Sequence, residues 1–402
     1  MAKRLDADVA VVGLGAMGAA SLCRLARGGV RTLGIDRFAP PHDRGSSHGQ
    51  TRITRQAVGE GPEYAPLVAA SHRIWRELEA ERADGVPLFV EAGVLMIGPA
   101  GGEALTHGTD DFLGRTLAVA QARGIAHERL DAHELGDRFP MFLGLTDRTQ
   151  GYLEPGGGYV FPERCIAAQT GLAERAGARV LSNTTVLDVR EGDRCVAIET
   201  DVGTFRADRA VVAAGPWCGP LLGAPFEGFL TVTRQALHWF ELEPGAAASY
   251  AGLPAFIRLH GGRAEKVFYG FPPVEGDRGI KVATEQWGQA TSIDALARRV
   301  DPDEPVAMHA THVAPCLDGV RRTSARPSVA CAYTTAPGHR FVIDDHPATS
   351  RVLVVSACSG HGFKHSAGIG EAVAERLITG ASTVDLAPFS LDRVRAESVS
   401  PT

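Results

Sequence analysis

The apolar residues Val9, Ala10, Val11 and Val12 form a short unbroken run that meets Gly13, Gly15 and Gly18 and continues into Ala19-Ala-Ser-Leu-Cys-Arg-Leu-Ala-Arg. An apolar run of that length reads as a buried strand, and the Ala/Leu-rich stretch behind it as a helix. A second run, Val30 to Ile35, ends at Asp36, 18 positions past Gly18. Strand, glycine turn, helix and acid in this register form a dinucleotide-binding fingerprint. The glycines admit a pyrophosphate to the positive helix N-terminus, and the acid accepts hydrogen bonds from a ribose. Two more strand-to-glycine turns lie at 209–217, carrying Gly215 and Trp217, and at 351–370, carrying Gly360 and Gly362 ahead of a helix to about Thr379. Between them, Arg179 to Ala214 alternates apolar and polar residues, with breaks at Glu191-Gly-Asp and Asp201-Val-Gly that predict hairpins. A cofactor gripped from both ends and the middle of the chain suggests FAD rather than a nicotinamide.

The intervening blocks carry strand-like stretches at Phe89 to Ile97, Leu230 to Phe240, Lys266 to Phe271 and Gly279 to Ala283, with helical patterns near 64–83, 110–124 and 291–300. The expected fold is α/β: a discontinuous Rossmann-type FAD-binding domain with an inserted α+β substrate domain on a mainly antiparallel sheet. The boundaries this predicts are 1–82, 152–220 and 334–385 for the first, 83–151 and 221–333 for the second, and a C-terminal tail over 386–402.

Composition narrows the function. With 402 residues, 44% hydrophobic and 22% charged, the chain reads as a soluble globular protein large enough for two domains. Its net charge of -6 offers no footprint for nucleic acid. Seven cysteines are scattered without the short spacings of a metal site, so no metal is expected and a reducing compartment fits. Asp6 and Asp8 interrupt the apolar start, which therefore reads as mature protein, and Ser400-Pro401-Thr402 matches no address signal. No run approaches the roughly 18 apolar residues of a membrane span, so a cytoplasmic enzyme is expected. Only Lys3, Lys266, Lys281 and Lys364 are lysines. Where arginine supplies nearly all positive charge, a lysine draws attention for its compact, tunable ammonium.

Six segments carry a resemblance: Gly45-Ser-Ser-His-Gly-Gln-Thr-Arg52-Ile-Thr-Arg55, Tyr269-Gly-Phe-Pro, Gly279-Ile-Lys281, Cys331-Ala-Tyr333-Thr, Phe341-Val-Ile-Asp-Asp-His-Pro and Ser359-Gly-His361-Gly-Phe-Lys364. Together, in order from about Val9 to Gly380, they resemble the monomeric sarcosine oxidase family. The resemblance implies a D-amino-acid-oxidase-like fold, a covalently bound FAD and oxidation of secondary amines, mostly N-methyl amino acids and cyclic imino acids. It aligns Cys331 with the cysteine joined to the flavin, with Cys358 as the rival. It places Lys281 near flavin N5 as the oxygen-activating cation, and Arg52 near the flavin as an electrostatic tuner. Arg55 and Lys364 match the pair holding the substrate carboxylate. His361 matches a histidine near flavin and substrate, and Tyr269 and Tyr333 match tyrosines lining the substrate cavity. Ser46 and Thr51, in the first segment, are expected against the cofactor, as is Lys364.

One position departs from the family pattern. Four residues after Lys281, where the sarcosine oxidases carry a histidine, this chain has Glu285. A carboxylate there predicts a larger or cyclic substrate with an extra donor or cation in place of sarcosine, unless Glu285 faces solvent. The expected partners are an amino-acid or imino-acid substrate and molecular oxygen, with no nucleic acid, no membrane and a monomeric state. Two alternatives stand beside the oxidase: a dehydrogenase using another acceptor, against which Lys281 argues, and a non-catalytic flavoprotein subunit.

Overall fold

The computed structural model describes residues 5–100, 111–260, 266–274 and 276–399. Lys3, residue 110 of an expected helix, and Ser400-Pro401-Thr402 lie outside them. Among the described residues, the strands form an eight-stranded, a nine-stranded and a three-stranded sheet.

The strand Ala7–Val12 sits inside the eight-stranded sheet, in parallel with Thr32–Ile35 on one side and Gly203–Val212 on the other. Its apolar run is continuous because both faces are covered: Val9 and Val11 pack into one core, Ala10 and Val12 into another. Arg179–Leu181 extends the sheet beyond Thr32–Ile35, and Val352–Ser356 pairs in parallel with Ala210 to Val212. The first half of Gly203–Val212 instead closes an antiparallel meander with Val196–Thr200 and Val186–Glu191, as the alternation in that stretch predicts. The helix Ala16–Arg27 lies on one face beside Ser366–Thr379, so close that a Cβ on Gly370 would stand 2.5 Å from the Ala20 main chain. The carboxyl ends of the parallel strands therefore open at one edge, where ligands of such sheets bind.

The nine-stranded sheet is antiparallel apart from the pair Ala255–Leu259 and Val94–Pro99. Its longest pairing joins Thr231–Leu242 to Val320–Thr335 and sets Cys331 opposite Gln235. Gly279–Thr284 lies on the other side of Thr231–Leu242, with Lys281 opposite Trp239 and Phe271. The small sheet of Arg52–Thr54, Gly158–Val160 and Phe89–Val90 carries Arg52 and leads directly into Arg55.

Three local expectations differ from the structure. The single strand-like stretch Phe89 to Ile97 is broken at Gly93, whose φ of +80° turns the chain, so Phe89–Val90 and Val94–Pro99 belong to different sheets. The helix over 291–300 does not form. Ile293 and Leu296 are buried against Val232 and Ala332, but the Arg234 guanidinium takes the carbonyls of Ala297 and Arg299 that a helix would need. Residues 386–399, expected as a tail, include the helix Leu391–Val399, whose Leu391 and Val394 are buried in the core of the eight-stranded sheet. No described helix is long and apolar enough to cross a membrane.

Candidate active site

A cavity of about 450 Å³ runs from the glycine turn at the sheet edge toward the nine-stranded sheet. Its near end is shaped by main chain. Gly13 has φ +86°, and a Cβ there would lie 2.7 Å from the Ala213 carbonyl oxygen, while a Cβ on Gly18 would lie 1.7 Å from the Gly13 carbonyl oxygen. These two glycines close the turn, whereas a Cβ on Gly15 would meet only Ser47 Oγ, in ordinary contact at 3.8 Å. Asp36 is buried and accepts hydrogen bonds from the Leu14 N–H at 2.7 Å and the Phe38 N–H at 2.8 Å. Its carboxylate thus fixes the glycine turn as well as lining the cavity. Gly215 and Trp217 form one wall from the end of Gly203–Val212, and Gly360 and Gly362 another from the end of Val352–Ser356. A Cβ on Gly362 would lie 1.7 Å from the Ala357 carbonyl oxygen, so that turn also requires glycine.

At the far end, Arg55, Lys364, His361, Tyr269, Tyr333 and Glu285 line the same cavity. Between Arg55 and Lys364 lies Glu60, a carboxylate the sequence reading did not single out. Its Oε2 accepts from Arg55 Nη2 at 3.2 Å and its Oε1 from Lys364 Nζ at 2.8 Å, and all three groups are buried. Burial pulls the Lys364 ammonium down to about 8, and Glu60 resists that fall. His361 stacks on Phe341 and its Nε2–H donates to the His339 carbonyl at 3.1 Å. Burial raises the Tyr269 phenol to about 12 and Tyr333 well above its ordinary value, so both stay neutral. Glu285 is within electrostatic reach of both phenols and of Lys364, and it does not simply face solvent.

Four expected residues stand behind this wall rather than on it: Lys281, Cys331, Thr51 and Gly18. Lys281 Nζ donates to the carbonyls of Gly49 and Thr51, each at 2.7 Å, and lies 4.7 Å from the Phe271 ring centre. It makes no ion pair among the described residues, and burial holds it well below the ordinary lysine value. Arg52, which does line the cavity, donates to the carbonyls of Thr51 and Ser46 at 2.8 Å. Cys331 is buried, and burial pushes its thiol up even though Arg52 and Lys281 pull the other way. The expected cations are therefore beside Cys331, but desolvation outweighs them. Cys358 lines the cavity.

Residues 8–376 match the FAD dependent oxidoreductase family. The chain belongs to that family. Within it, the chain is 36% identical over 392 residues to a monomeric sarcosine oxidase of Bacillus sp. strain NS-129, with 96% of each chain covered, which places it in the monomeric sarcosine oxidase family. It is also 33% identical over 392 residues to an N-methyl-L-tryptophan oxidase of Salmonella arizonae, with 96% of this chain and 98% of that protein covered. Among solved structures, NikD, described as an unusual amino acid oxidase essential for nikkomycin biosynthesis, superposes with a TM-score of 0.79 at 22% identity, with 96% and 98% of the two chains covered. That likeness shows the shared fold.

The residues present fit the FAD that the family carries. The helix Ala16–Arg27 begins without a side-chain cap, leaving its first N–H groups to an anion such as a pyrophosphate. Ser46 Oγ and Trp217 Nε1, both on cavity-lining residues, are buried polar atoms without a hydrogen-bond partner in the protein. Buried donors of that kind call for a ligand. Glu60 was missed because an isolated glutamate between Gly59 and Gly61 carries no motif; its only signal is its place five residues after Arg55.

Proposed function

We propose that this chain oxidises a secondary amine of an amino acid, an N-methyl or cyclic imino acid, with FAD as hydride acceptor and O2 as final acceptor, giving an imine and H2O2. The observation that carries this reading is the convergence of Arg55 and Lys364 with the two neutral tyrosines at the cavity end opposite the glycine turn. Bound FAD supplies the electron sink for the amine carbon and passes the electrons to oxygen.

The protein's part is binding and electrostatics. Arg55 and Lys364 bring two positive charges against the one negative charge of Glu60, so a substrate carboxylate makes the cluster neutral. Tyr269 and Tyr333 flank the amine without adding charge. His361, its Nε2–H given to the His339 carbonyl, turns Nδ1 toward the Glu60 side, 3.7 Å from Oε1. Glu285 favours a substrate with an additional donor or cation over sarcosine. Lys281 stabilises negative charge as oxygen is reduced; its burial without a carboxylate in contact supports that role. Covalent attachment of FAD through Cys331 is supported by the neighbouring Arg52 and Lys281, which favour a thiolate once the site is filled. A monomer is proposed from the likeness to relatives named monomeric sarcosine oxidase, and a cytoplasmic setting from seven cysteines that form no disulfide.

A panel of N-methyl amino acids and cyclic imino acids, each added anaerobically and then in air, tests the reading. The expected result is bleaching of the flavin by at least one of them, followed by one H2O2 per substrate oxidised. Bleaching that oxygen fails to reverse would favour the dehydrogenase reading instead.

A further inference from the structure

The turn that holds Lys281 is itself held by a carboxylate. Glu163, in the first turn of the helix Pro162–Arg175, accepts hydrogen bonds at Oε1 from the N–H of Gly49 at 2.7 Å and of Gln50 at 3.2 Å. The peptide group between Gly49 and Gln50 therefore donates its N–H to Glu163 and offers its carbonyl to Lys281 Nζ at 2.7 Å. One peptide dipole bridges the two charges, with each pole facing its complement, in a low-dielectric interior where such alignment is strong. The turn is unusual in its own right: Gly49 has φ +94° and Gln50, a residue with a side chain, has φ +76°. Such a conformation persists only where the surroundings impose it. Here the imposing contacts are Glu163 on the N–H groups, Trp239 Nε1 donating to Gln50 Oε1 at 3.0 Å, and Gln50 Nε2 donating to Asp277 at 2.8 Å.

We propose that Glu163 is a positioning residue for the Lys281 ammonium, fixing the turn whose carbonyls hold Nζ and serving as its counter-charge through one peptide group. This rests on the proposed role of Lys281 in the reaction with oxygen. The groups acting on Lys281 are Arg52 and Arg326, which favour the neutral amine, and Glu163 and Cys331, which favour the ammonium. His48, held down to about 4 by burial, is neutral near pH 7. Glu163 is the carboxylate of this set, so its removal moves Lys281 further toward the neutral amine.

The test uses the flavin-loaded enzyme and two variants at position 163. Glu163→Gln keeps an oxygen acceptor for both N–H groups but loses the charge, while Glu163→Ala loses both. Flavin absorbance of the resting enzyme is titrated with base, and the rate of reoxidation by oxygen is followed over the same range. The expected result is a midpoint that Lys281→Met abolishes and that Glu163→Gln moves down by about one pH unit. The pH at which reoxidation falls moves with it, and Glu163→Ala lowers reoxidation further. A wild-type midpoint in Glu163→Gln, with the Lys281→Met effect intact, would reduce Glu163 to a loop anchor and overturn the proposal alone. A Lys281→Met enzyme that keeps the midpoint and reoxidises normally would overturn the oxygen role of Lys281 itself.

Discussion

Lys364 and Lys281 are both buried, yet the protein gives their ammonium groups different partners. Lys364 reaches a carboxylate, Glu60, and the carbonyl of His361. Lys281 reaches two carbonyls, a hydroxyl and the faces of Phe271 and Trp239, with its carboxylate one peptide away. The direct partner keeps Lys364 at about 8, while Lys281 falls well below its ordinary value. Desolvation lowers both, and at Lys364 the carboxylate in contact opposes that fall. A paired lysine beside a cavity can share its charge with a second carboxylate. A lysine held by carbonyl dipoles has no carboxylate in contact, so its ammonium can answer negative charge that appears during a reaction.

The largest effect that would sharpen this contrast comes from Lys281→Met, which should slow reoxidation by oxygen by about 100-fold or more and slow reduction by substrate far less. Stopped-flow rates in which both half-reactions drop equally would erase the distinction between the two lysines. Next is the paired site. Lys364→Met should weaken amino-acid binding by roughly 1.5–3 kcal/mol and also destabilise the fold, because it leaves Glu60 with Arg55 alone. Adding Glu60→Gln should destabilise the fold further without restoring binding, because it leaves the buried Arg55 guanidinium without its carboxylate, as thermal unfolding and spectral titration of the double variant would show.

A smaller effect follows from pH. With its folded value lowered to about 8 from an unfolded value of roughly 10.4, Lys364 is protonated in both states below pH 8. Between those values the unfolded chain holds the extra proton, so this group's contribution to stability rises with pH across the window. Binding runs the other way: a carboxylate needs the ammonium, so affinity should decline above pH 8 by at most about tenfold per pH unit. Lys364→Arg should flatten that decline, and a decline unchanged in Lys364→Arg would assign the titration to another group. The smallest effect is expected from Glu285→His, a preference shift toward sarcosine of about fivefold to tenfold, or about 1.4 kcal/mol at the upper end. An unchanged substrate profile would detach Glu285 from specificity.

Local patterns made the glycine turn, Asp36 and the strand–helix alternation of the first sheet legible, because contacts such as that of Asp36 with the Leu14 N–H lie close in sequence and impose strict sterics. Arg55 and Lys364, which the structure brings to one carboxylate, were legible only through segments resembling a family. What stayed hidden depends on partners distant in sequence: Glu60 meets Lys364 across 304 positions and Glu163 meets Gly49 across 114. The same cause explains the failed helix at 291–300, where Arg234 takes carbonyls 63 and 65 positions away. Placement behind the cavity wall, as for Lys281 and Cys331, likewise leaves no trace in spacing.

The proposed function rests on Arg55 and Lys364 receiving an amino-acid carboxylate. Its most direct test is the anaerobic rate of flavin reduction by an N-methyl or cyclic imino acid and by the matching amine without its carboxylate, in the wild-type and Lys364→Met proteins. Capture of the carboxylate by this pair gives at least about a tenfold lower efficiency for the amine in the wild type, equivalent to about 1.4 kcal/mol, and a much smaller difference in Lys364→Met. Equal efficiencies for acid and amine in the wild type would contradict it.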